Sequence, residues 1–135
     1  MSKRRLIDTN LIIRYLVQDN EKQANIAGRL FEACDRGQVL IVVLPAVLAE
    51  CVFVLESFYE LERGAIASAL GRLISSPGVE LTETAAHLDA FERYRRTKAH
   101  FVDCLIAATA VAEDVPVASF DQDFRKFSDV RVEVE

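Results

Sequence analysis

Leu6 and Ile7, preceded by Lys3, Arg4 and Arg5, have the pattern of a short buried strand, and Leu11 to Val17 that of a helix with Asn10 as its N-cap. After the polar break Asp19-Asn20-Glu21, the residues Ala24, Ile26, Ala27, Leu30, Phe31 and Cys34 recur at helical spacing until Gly37 stops the pattern. Val39 to Val43 is an uninterrupted apolar run of strand length, the signature of a strand covered on both faces in a parallel sheet. Pro45 suits the first turn of a helix reaching about Tyr59, with an apolar stripe at Val47, Leu48, Cys51, Val52 and Leu55. A further helix spans Leu61 to Ser76 and ends in Ser75-Ser76-Pro77-Gly78, followed by a short strand, Val79-Glu80-Leu81. Thr82-Glu83-Thr84 opens a helix through His87, Leu88, Phe91 and Tyr94, and Phe101 to Ala112 forms an alanine-rich one. Val115 to Phe120 is a strand that tolerates Pro116 at its start, Asp123 caps a helical turn at Phe124-Arg125-Lys126, and Val130 to Val134 alternates as a half-exposed edge strand. Strands separated by helices predict an α/β fold of three layers, α/β/α, with a central, mainly parallel sheet of about five strands flanked by helices.

Composition narrows the class. A chain of 135 residues, 51% of them hydrophobic, suits one domain over residues 1–135 with a substantial core. There is no apolar run of membrane-spanning length and no apolar signal-peptide region at the N-terminus, so the expectation is a cytoplasmic protein with no membrane partner. Cys34, Cys51 and Cys104 are odd in number and lack C-x-x-C spacing, which argues against a disulfide framework or a zinc site and for reduced core residues. The net charge of −5 disfavours nonspecific nucleic-acid binding. One local exception is the cluster Arg93, Arg95, Arg96 and Lys98, which is either a solvated helix face or a contact for a phosphate backbone.

The acids carry the chemistry. Asp8 stands at the carboxyl end of the first strand, where open α/β sheets place their ligands, although Asp8-Thr9-Asn10 alone is also ordinary turn and cap chemistry. Glu50 is the only charged residue between Gln38 and Glu56, and a lone carboxylate in an apolar helix needs water, a paired base or a cation. Asp103 repeats the anomaly between Val102 and Ile106, and Asp121 ends the late strand with Gln122 and Asp123 beside it. His87 and His100 are lone histidines whose expected roles are packing and helix capping. A doubly wound sheet can bring Asp8, Glu50, Asp103 and Asp121 to one crevice, where four carboxylates cannot all ionise without a cation. Oxygen ligands without His or Cys select Mg²⁺ or Mn²⁺, whose best-suited chemistry is phosphodiester hydrolysis.

Ile7-Asp8-Thr9-Asn10, Glu50 in the helix after the second strand, Asp103-Cys104-Leu105-Ile106-Ala107-Ala108 and Ser119-Phe120-Asp121-Gln122-Asp123-Phe124 together resemble the successive acidic motifs of PIN domains. They resemble most closely the VapC ribonuclease toxins of toxin–antitoxin pairs, and the likeness spans essentially the whole chain. It implies a metal-dependent endoribonuclease of PIN-like fold in which Asp8, Glu50 and Asp103 bind Mg²⁺ or Mn²⁺ and Asp121 is the less uniform fourth acid. Thr9, Asn10 and Ser119 fall at supporting positions, Ser119 standing where the family more often has threonine, and Asp123 either helps the metal or only caps a helix. The resemblance further implies an RNA substrate, a homodimer and a small cognate VapB-like antitoxin. The alternative is a PIN-like module that binds RNA or protein without cutting. A phosphorylated receiver domain fits poorly, because Thr9-Asn10 follows Asp8 where an acidic pair is needed.

Overall fold

A computed structural model of the protein describes residues 3–133. Its elements are β1 (Lys3–Leu6), α1 (Thr9–Val17), α2 (Glu21–Asp35), β2 (Val39–Val42), α3 (Pro45–Ser57), α4 (Arg63–Ser75), β3 (Val79–Glu80), α5 (Thr84–Arg96), α6 (Phe101–Glu113) and a 3₁₀ turn, Gln122–Lys126. They fall into two compact units that divide between Thr82 and Glu83.

The first unit is built on a parallel sheet of three strands in the order β1-β2-β3. Lys3 to Leu6 pair with Val39 to Val42, and Ile41 and Val42 pair with Val79 and Glu80. Each crossover is a pair of helices, α1 with α2 and α3 with α4, the βαβ winding expected where apolar strands alternate with amphipathic helices. In β2 the burial alternates: Val39 and Ile41 are buried, whereas Leu40 and Val42 are only partly so. Two further bonds carry the pairing past the strands, Ile7 N–H to the Val42 carbonyl (3.3 Å) and Val43 N–H to that of Glu80 (2.9 Å). Asn20 caps α2 by accepting from Gln23 N–H at 3.0 Å, and Pro45 opens α3 as its spacing predicted. The buried stripe of α3, Leu48, Cys51, Val52 and Leu55, is the expected one except that Val47 is only partly covered. Gly78, between α4 and β3, lies against α2: a Cβ there would stand 2.4 Å from Cys34 Sγ and 3.0 Å from its carbonyl oxygen.

The second unit pairs α5 with α6. Alanines at 90, 107, 108 and 110 are buried, and small side chains let such helices approach closely. Aromatic contacts join them: Phe91 and Phe101 rings are 4.7 Å apart, Tyr94 and Phe101 rings 6.1 Å. The two late strands expected from the sequence contract here to one parallel bridge, Val117 to Val132. Local chemistry explains the loss. Val115 N–H goes to the Ala110 carbonyl at the end of α6, Pro116 has no N–H, and Ser119 and Asp121 fold into a turn, so only Val117 is left to pair, with Arg131 and Glu133. Val134, the last residue of the expected edge strand, lies outside the described residues. The α/β class with a parallel sheet flanked by helices holds, with three strands among the described residues instead of about five.

Candidate active site

In the first unit, Asp8, not Asn10, caps α1. Its backbone is extended (φ −99°, ψ 174°) and its Oδ1 accepts from Leu11 N–H at 2.9 Å, so the helix starts earlier than the apolar pattern suggests and Asn10 falls inside the first turn. One carboxylate oxygen thus anchors the helix and the other remains for a ligand. The next residue links two elements: the Thr9 hydroxyl donates to Glu50 Oε1, tying the start of α1 to the middle of α3. Glu50 is exposed, which revises the reading of it as a carboxylate stranded among apolar residues; it stands at the solvent edge of α3. Behind it, Cys51 is fully buried, and burial, with the charges of Glu50 and Asp8 adding to it, pushes its thiol up to about 12. That thiol is a packing group and not a nucleophile.

Asp8, Thr9, Asn10 and Glu50 line a cleft of about 460 Å³ whose far wall carries Phe58 and Tyr59. A smaller cleft of about 180 Å³ shares Asp8 and Asn10 and is bounded by Arg14 and Gln23. Arg14 donates to Asp19 (2.6 Å), Gln23 (2.9 Å) and the Tyr59 hydroxyl (3.4 Å), while that hydroxyl donates to Asp19 at 2.8 Å. The Tyr59 hydroxyl and then Arg14 hold the Asp19 carboxyl below its usual range. This polar frame escaped the sequence reading. Phe58 and Tyr59 follow the last turn of α3 just past its inward stripe, and that position was the one available signal.

In the second unit, Asp103 sits in the opening turn of α6, partly buried although Val102 and Ile106 beside it are exposed. Burial first, then the charges of Asp121 and Asp123, push its carboxyl up, and His100 opposes them. His100 occupies the N-cap position but makes no capping bond. Ser119 Oγ accepts from Asp121 N–H at 2.9 Å, and Asp121 Oδ1 in turn accepts from Asp123 N–H at 2.8 Å. Asp121, not Asp123, is therefore the cap of the 3₁₀ turn, because its extended backbone aims the carboxylate at the following amides. Asp123 instead pairs with Lys126 at 3.2 Å. His87 is buried, its Nδ1 3.0 Å from the Glu83 carbonyl and its Nε2 without a partner among the described residues.

The basic cluster is largely matched by acids of its own unit. Arg93 pairs with Asp89 and, through two bonds, with Asp129, while Arg95 and Arg96 share Glu92. Lys98 is exposed after the helix end.

The donors suit a hard divalent cation in kind: oxygen atoms only, with the Asp103 carboxyl pushed up by burial first and then by the charge of Asp121, which a cation would offset. Among the described residues, no three His, Cys, Asp or Glu side chains are gathered into one group that could hold a metal ion. In the first unit Asp8 and Glu50 line one cleft, with Glu50 held by Thr9, and in the second the charges of Asp121 and Asp123 act on Asp103.

The PIN domain family model matches residues 5–130. A VapC ribonuclease of Aquifex aeolicus (strain VF5) is 26% identical over 123 residues, which cover 90% of each chain. Among solved structures, VapBC2 from Rickettsia felis bound to a DNA fragment from their promoter is matched over 97% of this chain and 98% of that one, at 17% identity and a TM-score of 0.38.

Proposed function

This chain belongs to the PIN domain family, and from that premise we propose that it is a Mg²⁺- or Mn²⁺-dependent endoribonuclease, the toxin of a toxin–antitoxin pair. The reading treats residues 1–135 as one PIN domain in the cytoplasm; no described helix is long and apolar enough to cross a membrane. The observation that carries it is the arrangement of Asp8, Thr9 and Glu50 in one cleft: two carboxylates from different elements, Glu50 held by the hydroxyl of the residue that follows Asp8, and Asp8 with one oxygen that accepts no bond among the described residues. The name of the Aquifex aeolicus relative supports RNA as the substrate.

Asp8, Glu50, Asp103 and Asp121 would hold the cation. When bound, it polarises the phosphate and lowers the pKa of an attacking water. Thr9 fixes the Glu50 carboxylate, Ser119 and Asp123 orient the loop that carries Asp121, and Asn10 offers an amide to water or substrate. Arg96 and Lys98 give the RNA backbone its cationic contact, with Arg93 and Arg95 committed to acids of their own helix and tail. A VapB-like antitoxin and a homodimer complete the proposal.

The test uses purified, antitoxin-free protein, total cellular RNA, Mg²⁺ or Mn²⁺, and a chelator control. Discrete metal-dependent cleavage that Asp8→Asn abolishes is the expected result. Asparagine keeps an oxygen for Leu11 N–H, so the variant should fold. Full activity in Asp8→Asn would overturn the assignment. One observation favours the second reading, a PIN-like RNA- or protein-binding module without catalysis: no three-ligand metal group is found among the described residues. A folded protein that binds no divalent cation by calorimetry would decide for that module.

A further inference from the structure

The cleft beside Asp8 and Glu50 has an aromatic wall that the phosphodiester chemistry does not use. Phe58 follows α3 and is 75% exposed, so it adds little to the core even though the inward stripe of α3 ends at Leu55 just before it. A single exposed apolar side chain ordinarily needs no explanation. This one lines the same cleft as two carboxylates, and its backbone is fixed. Phe58 N–H and Tyr59 N–H both bond the Val54 carbonyl (2.9 and 3.3 Å), and Leu61 N–H bonds that of Leu55 (3.0 Å), which fixes the backbone on either side. The Tyr59 hydroxyl is locked between Asp19 and Arg14, and its ring stands 4.9 Å from that of Phe58 at 76°.

Resting on the nuclease reading above, we infer that Phe58, braced by Tyr59, is the shelf on which an unpaired RNA base stacks next to the scissile phosphate. Three features of a nucleotide meet three of the cleft. Its phosphate belongs at the carboxylate end, where a cation held by Asp8 and Glu50 would offset the like charges; its base has a flat face for the Phe58 ring; and its base edge suits the Asn10 amide. An apolar peptide would cover the ring but bring nothing to offset the negative charge of Asp8 and Glu50. The cleft volume lies within the range of about 300–1,000 Å³ usual for ligand sites. A shelf of this kind is tolerant of sequence, because every base has a π-face, and it selects unpaired over paired RNA.

The chain contains no tryptophan, so Phe58→Trp places a sole indole reporter on the shelf, excited at the red edge where the three tyrosines do not absorb. Full-length Phe58→Trp in the Asp8→Asn background is titrated with a mixed-sequence single-stranded oligoribonucleotide in Mg²⁺, and with the same sequence as duplex. Quenching by the single strand alone is expected. Phe58→Ala should fold with an unchanged thermal midpoint, weaken single-strand binding by roughly tenfold or more, and raise KM for cleavage correspondingly, with Phe58→Tyr restoring both. RNA that binds Phe58→Ala as tightly as wild type, with tryptophan emission unmoved, overturns the inference, leaves the ring to a protein partner and keeps the nuclease if cleavage persists. Quenching without cleavage by the Phe58→Trp protein that retains Asp8, or by wild type, supports the shelf and overturns the nuclease. Absence of both overturns the two together.

Discussion

Arg93 tests whether the basic run of α5 is folding machinery or an RNA contact. Its guanidinium donates to both oxygens of Asp129 (2.9 and 2.5 Å), Nε lies 3.2 Å from each oxygen of Asp89, and its plane sits 5.4 Å from the centre of the Phe127 ring. The Arg93 side chain is 12% exposed, that of Asp129 49%. A fully sheltered charged hydrogen bond is worth about 1.5–3 kcal/mol and an exposed ion pair about 0–1. With one partner sheltered and the other half in water, the Arg93–Asp129 coupling should come to about 1 kcal/mol, and loss of the cation–π contact adds about 0.5–1. Arg93→Met, which keeps the apolar stem, should therefore lower Tm by about 4–8 °C in a chain of this size. A double-mutant cycle with Asp129→Asn, followed by urea unfolding, isolates the pair. Arg93 holds the Asp129 carboxyl below its usual range. Its stabilisation is thus complete above the unfolded value near ~3.9 and is lost as pH falls through the lower folded one. The coupling should be flat from about pH 7 to 4.5 and shrink in stronger acid. Lys98→Ala, in contrast, should weaken RNA binding and leave stability alone. An Arg93→Met protein of wild-type stability that loses RNA affinity as Lys98→Ala does would make the run an RNA contact instead.

Gly78→Ala should cost about 1–3 kcal/mol by overpacking against Cys34, and Cys34→Ala in the same chain should recover part of it by removing the sulfur; wild-type stability in the single variant would contradict the close approach. Asp103→Asn should raise the Tm of metal-free protein at neutral pH while abolishing cleavage, because a carboxyl pushed up by burial and by Asp121 destabilises the fold increasingly as pH rises through its folded value; a lower Tm would sink this. His87→Leu should be neutral or stabilising by urea unfolding, since the Glu83 carbonyl still accepts from the residue 87 amide and a buried, unpartnered Nε2 costs about 1–3 kcal/mol; a large loss would show that Nε2 has a partner.

The helices were legible because their buried stripes follow a period that burial alone imposes: Leu48, Cys51, Val52 and Leu55 in α3 stand where spacing put them. Strands β2 and β3 were legible from apolar runs bounded by Gly37 and by Pro77-Gly78. Caps were harder. Asp8 and Asn10 are equally good capping residues, and the choice rests on which backbone is extended, a property of the chain's exit from β1. The late strands misled because an apolar run and an alternation both ignore hydrogen bonds: in Val115 to Phe120, Pro116 has none to give, and Val115 spends its own on α6. Asp8 and Asp121 were singled out by their place at strand ends, and Glu50 and Asp103 by their isolation among apolar residues, yet Glu50 is exposed, so its position was informative for a reason other than the desolvation first assigned to it. Arg14, Asp19 and Tyr59 could not be linked from sequence, because a frame closed by side chains from α1, the following loop and the end of α3 has no period.

Asp8 is both a cap and a candidate ligand, and this shapes how the protein can lose its activity. Most replacements at this position remove the acceptor for Leu11 N–H as well as the charge, at a cost of about 0.5–2 kcal/mol. A genetic screen for inactive variants would then collect, at one codon, chains cleared by cellular proteases alongside chains that accumulate. Asparagine, and to a lesser degree serine, are the exits that leave an abundant, folded and silent protein, still free to occupy whatever partners the active form binds.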